Sequence, residues 1–92
     1  MIRSFLHKGL ADLYHKGRAA KVRPDLQARI LRRLDALNSA RNLAELNMPG
    51  FDFHPLRGNK PTRYSVHVNG PWCITFELAD GDVLRVDLEQ YH

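Results

Sequence analysis

The sequence predicts an α+β fold: a small antiparallel β-sheet with two main helices packed on one face. Three observations lead there. Apolar residues recur at helical spacing up to about residue 46, and the period changes to two after Pro49-Gly50. Two glycine-containing hairpin signals then join the alternating runs. Each alternating run has one apolar face, which needs a cover, and the amphipathic helices supply it. The opposite face is expected to form a polar concavity open to solvent. With 92 residues and no internal repeat, low-complexity tract or Ser/Gly linker, one domain spanning residues 1–92 is expected.

The opening "MIRSF" is too short a pattern to assign beyond a possible edge strand. In "KGLADLYHKG", Leu10, Leu13 and Tyr14 lie at i, i+3, i+4, and Gly17 is a natural helix stop. The second helix, "RPDLQARILRRLDALNSA", starts well: Pro24 suits the first turn and Asp25 favours its positive end. Leu26, Ile30, Leu34 and Leu37 form its apolar stripe, supported by Leu31, while Arg29, Arg32 and Arg33 are expected on a solvated face. "RNLAEL" adds a helical turn.

Four strands are expected to follow. Phe51 and Phe53 alternate with Asp52 and His54, and Pro55-Leu56 is read as a turn ending that strand. Tyr64, Val66 and Val68 oppose Ser65, His67 and Asn69. Trp72, Ile74, Phe76 and Leu78 oppose Cys73, Thr75 and Glu77, and Leu84, Val86 and Leu88 oppose Arg85, Asp87 and Glu89. Asn69-Gly70 and Asp80-Gly81 mark the two hairpin turns.

Composition narrows the function classes. A 43% hydrophobic and 26% charged chain is neither disordered nor membrane-spanning, since no apolar run approaches the ~20 residues a span requires. The start lacks the apolar core and cleavage site of a signal peptide, and the lone Cys73 has no disulfide partner within the chain. A cytoplasmic protein is expected, with no membrane partner. The net charge of +4 is unevenly spread. Residues 77–92 carry five carboxylates against Arg85 alone, a net −4, so the preceding residues sum to +8. A basic body of this kind is suited to a polyanion such as nucleic acid, although a solvated basic surface has the same signature.

The polar face collects chemistry. His54 and Arg57 flank Pro55-Leu56, Lys60 and Arg63 come from the loop "RGNKPTR", and Arg85, Tyr91 and His92 come from the last strand and its end. Such a set suits metal-free cleavage of RNA. A base takes the ribose 2′-OH proton, an acid protonates the leaving 5′-oxygen, and cations stabilise the phosphoryl charge. Taken singly, His54 is more simply a strand-end histidine bonded to a carbonyl, and Tyr91-His92 a loose tail. The five histidines show no HxxH spacing and there is no CxxC, so no metal site is expected. Cys73 with His67 as base is a weaker alternative, because a thiol beside Trp72 in mid-strand is more often simply a small side chain.

Four segments together resemble one family. "MIRSFLHKGL" at the start, "HPLRG" at 54–58, the hairpin "YSVHVNGPWCITF" and the terminal "DLEQYH" are similar to HigB toxins of the RelE superfamily of bacterial toxin–antitoxin systems. The likeness spans nearly the whole chain. It implies a compact RelE-like fold and a ribosome-dependent endonuclease that cuts mRNA in the A site, without a cofactor. The implied partners are a HigA-type helix-turn-helix antitoxin, the ribosome with its mRNA, and operator DNA through the antitoxin complex only. By position, His54, Arg57, Tyr91 and His92 match family active-site residues, Arg57 standing where Lys is common, while Lys60, Arg63 and Arg85 are candidate RNA-binding cations from the polar face itself. Cys73 stands where the family usually has Arg, Gln90 where an acidic residue usually precedes Tyr-His, and Asn69 where some members have Arg; either Arg57, Lys60, Arg63 or Arg85 compensates or the activity is weakened. A ParE-like non-catalytic inhibitor of a protein target such as gyrase is the rival reading, or a degenerate toxin acting mainly in antitoxin binding and operon control.

Overall fold

The computed structural model describes residues 1–90. Helix α1 (Lys8–Lys16) begins where the His7 ring accepts the Leu10 N–H through Nδ1 at 3.1 Å. It ends at Gly17, which takes the left-handed conformation at φ 79° and donates its N–H to Leu13 O. Helix α2 (Pro24–Ser39) starts on proline and buries Leu26, Ile30, Leu34 and Leu37, the expected stripe. It buries Arg33 as well, which was expected in solvent. A 3₁₀ turn over Leu43–Leu46 follows, capped by the Asn42 side chain.

The strands are β1 (His54–Leu56), β2 (Arg63–Asn69), β3 (Trp72–Ala79) and β4 (Asp82–Gln90), antiparallel in the order β1-β2-β3-β4. Both helices pack on one face. Their buried residues join Val66, Val68, Ile74, Phe76, Val83 and Val86 in one core. Phe53, Tyr64 and Phe76 stack in series along its edge, with adjacent centroids 5.5 and 6.0 Å apart. The opening segment does line the sheet edge: Ile2 and Phe5 bridge β4 in parallel at Val83 and Val86, and the Ile2 N–H reaches the Asn38 side chain at 3.0 Å.

Three local expectations are overturned. The strand expected over 51–54 is an irregular lead-in, because Gly50 at φ 84° and Asp52 at φ 45° break the extended path. The first strand starts at His54 and runs through Pro55-Leu56, the pair read as a turn. Proline is tolerated there because β1 is an edge strand. In the first hairpin the two connecting residues are Gly70 and Pro71, since Asn69 pairs with Trp72. Positive φ at the first of them only is the pattern of a type II′ turn. Asp80-Gly81, both at positive φ, is the two-residue turn expected.

A further departure lies in β4. Thr75 faces Asp87 while Glu77 faces Leu84, so Arg85 and Val86 together oppose Phe76 in a β-bulge. Arg85 takes φ 51°, and its N–H is satisfied by Ser4 Oγ at 2.9 Å. The extra residue shifts the alternation. Val83 and Val86, three apart, both enter the core, and Leu84 leaves the apolar face on which it was expected. Truncation tests this register. Val83→Ala should cost about 2 kcal/mol in urea unfolding, whereas Leu84→Ala should cost below about 1 kcal/mol because it vacates no core volume.

Candidate active site

Directly opposed residues of antiparallel strands share a face, so the register fixes what lies on the side away from the helices. One row runs His54–Ser65–Thr75–Asp87 across all four strands. The next runs His67–Cys73–Glu89, and on the other side Arg63 faces Glu77 and then Leu84. At ~4.8 Å per strand gap, the first row places His54 and Asp87 ~14 Å apart.

This face was expected to be an open polar concavity, yet Ser65 and Thr75 are fully buried and Cys73 nearly so. Long side chains folded over it provide part of the cover. The Arg63 guanidinium donates to Glu77 Oε2 at 3.0 Å, Thr75 Oγ1 at 2.9 Å and the Arg85 carbonyl at 3.0 Å. Thr75 Oγ1 passes its own proton to a short hydrogen bond with Glu89. Arg85 reaches the other Glu77 oxygen at 3.7 Å. Among the described residues, the Ser65 hydroxyl is the buried polar side-chain atom left without a partner.

The expected site residues therefore divide. Arg63 and Arg85 meet at Glu77, and Arg63 is largely buried, so it is occupied as a structural cation. Arg57 and Lys60 are exposed in the loop beyond β1 and form no ion pair with a described residue. His54 is exposed at the head of its row. Its Nδ1 lies 2.7 Å from the Asp52 carbonyl. A carbonyl only accepts, so Nδ1 carries the proton, and in the neutral ring the Nε2 lone pair is left for an outside group. Tyr91 and His92 lie outside the described residues, just past Gln90, whose partner in the register is Trp72. His67, by contrast, directs Nε2 to the Gly70 carbonyl at 3.0 Å and closes the hairpin. Among the described residues no group of three or more His, Cys, Asp or Glu is arranged to hold a metal ion, and none of their helices is long and apolar enough to cross a membrane.

Sequence reasoning missed three contributors. Asp52 acts through its carbonyl, which no side-chain pattern reveals. Glu77 was seen only as one acidic residue of the last hairpin. Arg33 had a legible signal: it lies seven residues after Leu26, three after Ile30 and four before Leu37, and so falls on the buried stripe. It is 8% exposed, and burial followed by the like charges of Arg32 and Arg29 pulls its pKa below the usual arginine value.

The two-layer α+β architecture is compatible with a small toxin of a toxin–antitoxin system, and comparison with known proteins assigns that class. Residues 3–92 match the family described as the RelE-like toxin of the type II toxin–antitoxin system HigB, and the chain belongs to that family. It is 39% identical over 92 residues to the "Endoribonuclease HigB" of Proteus vulgaris, with both chains covered in full. A type II toxin implies an antitoxin partner.

The two kinds of cation separate by experiment. Arg63→Ala should cost about 2 kcal/mol of unfolding free energy, because it takes the nearer cation from the largely buried Glu77 carboxylate and leaves it the longer Arg85 contact. Arg57→Ala should leave the unfolding free energy within about 0.5 kcal/mol of the parent.

Proposed function

We propose that this toxin is a ribosome-dependent endoribonuclease that cuts mRNA in the A site and so stops translation. The observation that carries the reading is His54. It is exposed on an edge strand, its Nδ1–H is held by the Asp52 carbonyl, and exposed Arg57 and Lys60 follow within six residues. The relative bearing the name endoribonuclease is similar along its whole length, which supports the same class of activity here.

In this reading His54 and His92 form the acid/base pair. One imidazole accepts the ribose 2′-OH proton as that oxygen attacks the adjacent phosphorus. The other donates a proton to the leaving 5′-oxygen, giving a 2′,3′-cyclic phosphate and a free 5′-OH. Arg57 stabilises charge on the non-bridging oxygens, Tyr91 orients the nucleotide, and Lys60 holds flanking phosphates. Arg85 is half engaged with Glu77 and remains an outer contact, and Arg63 shapes the face from beneath. The partners are a HigA-type helix-turn-helix antitoxin, the translating ribosome and, through the antitoxin complex only, operator DNA. Such a toxin works in the cytoplasm.

Mapping mRNA 5′ ends after induction tests this. The parent should produce new ends within A-site codons. His54→Ala and His92→Ala should each lower cleavage by about 10²–10⁴-fold, the usual contribution of a positioned acid or base. Growth arrest by the parent without such ends, or both variants cutting at the parental rate, would refute the assignment.

A further inference from the structure

The buried Arg33 guanidinium spans two segments that no other side chain joins among the described hydrogen bonds. From α2 its Nε donates to the His67 carbonyl on β2 at 2.7 Å, its Nη2 to the Gly50 carbonyl at 3.5 Å, and its Nη1 back to Arg29 O at 3.2 Å. Its carbon sits 4.8 Å from the centre of the Phe51 ring, within cation–π range. The Phe51 carbonyl accepts the His67 N–H at 2.6 Å. The lead-in over 50–53 is thus clamped from both sides.

That lead-in needs a clamp. Gly50 and Asp52 both hold positive φ, and Asp52 at φ 45° is in a conformation that ordinary residues adopt at some energetic cost. The next carbonyl along, that of Asp52, receives the His54 Nδ1 proton. The path from α2 to the reactive ring is therefore short: guanidinium, Gly50 and Phe51 backbone, Asp52 carbonyl, imidazole.

We propose that Arg33 is a positioning residue for His54, fixing the Asp52 carbonyl so that the ring keeps its Nδ1–H tautomer and presents a bare Nε2 to the RNA. The inference rests on the reading of His54 given above. Free imidazole prefers no single orientation and exchanges its proton between nitrogens, so a loosened carbonyl would leave Nε2 protonated part of the time. Arg33 would then act on the rate of the bound complex and not on RNA affinity, since it lies inside the protein.

The test combines long-range ¹H–¹⁵N correlation of the His54 ring with single-turnover cleavage on programmed ribosomes, for Arg33→Met, Arg33→Lys and His54→Ala. Arg33→Met should remain folded, lose the pure Nδ1–H pattern of His54, and cut about 10–100-fold more slowly at saturation, with its half-saturating concentration unchanged. Arg33→Lys, which still offers one cation to one carbonyl, should fall between it and the parent. A folded Arg33→Met chain with the parental tautomer and saturating rate would overturn the proposal. Should Arg33→Met not fold, Phe51→Leu removes the ring beneath the guanidinium alone. A smaller shift in the same direction supports the proposal, and an unchanged His54 pattern overturns it. His54→Ala separates the two layers of argument. Parental cutting by that variant defeats the catalytic reading, and the positioning role with it. Its inactivity beside an unaltered Arg33→Met defeats the positioning role only.

Discussion

Burial of the α2 stripe against the sheet is the constraint on which the rest of the molecule depends. Leu26, Ile30, Leu34 and Leu37 are all at or below 1% exposure, and they cover strands whose inner residues Val66, Ile74 and Phe76 are fully buried. At ~2 kcal/mol per buried aliphatic side chain, those four alone contribute ~8 kcal/mol. That is comparable with the whole net stability of a small domain. The sheet therefore has one face committed to packing, and its other face is released for polar work. The side on which chemistry can happen follows from which side the helices take.

The released face is not bare. A four-stranded sheet presenting Ser65, Thr75 and Cys73 in its middle would leave small side chains wet and weakly packed. Arg63 and Glu77 instead lie across it, and Glu89 closes on Thr75. Each charged group in that layer has a partner, which is the condition for holding charge in a partly buried site. The network keeps the middle of the sheet rigid, while the free imidazole edge of His54 sits at its border on β1. Under the function proposed above, a packed centre with His54 at the rim is the arrangement that holds a site's geometry against a large substrate.

The sequence carried the fold well because the strongest local signals agreed with the global packing. The α2 stripe, the cap at Gly17, the Asp80-Gly81 turn, the alternation in β3 and that in β2 up to His67 all appear where the residues place them. What escaped was backbone geometry without a residue signature. Nothing in "DVLRVDL" announces that Arg85 takes a left-handed conformation, and a single bulge exchanges Leu84 for Val83 in the core. The lead-in failed as a strand for a similar reason: two aromatic residues both reach the core, but across Asp52 in a conformation that alternation cannot express. Among the candidate site residues, the sheet face of His54 and the exposure of Arg57 and Lys60 were legible. The burial of Arg63 was not, since pairing with Glu77 depends on a cross-strand register. Arg33 was misassigned because adjacent arginines read as one exposed run, although its place on the helical wheel differs from that of Arg32.

The same pairing alters how the uneven charge should be understood. By count, the last hairpin is acidic and would repel an RNA strand lying over the sheet. In the fold two of its five carboxylates, Glu77 and Asp82, are ion-paired and a third is hydrogen-bonded. Glu77 is shared by Arg63 and Arg85, Asp82 by Arg3 and the N-terminal ammonium, and Glu89 binds Thr75. The Arg3 hydrogen bond also holds the Asp82 carboxyl below its ordinary pKa, so this pairing keeps it ionised. Arg57 and Lys60 have no such partner among the described residues, and neither do Arg29 and Arg32 on the outer face of α2. Pairing leaves the formal +4 unchanged, and what matters to a polyanion is where the unpaired cations stand, with Arg57 and Lys60 close to His54 in sequence. A phosphate backbone approaching His54 would meet the unpaired Arg57 and Lys60 at the rim, with the ion-paired Glu77 further in. This ordering gives electrostatic attraction at the rim without placing uncompensated positive charge in the packed centre of the sheet.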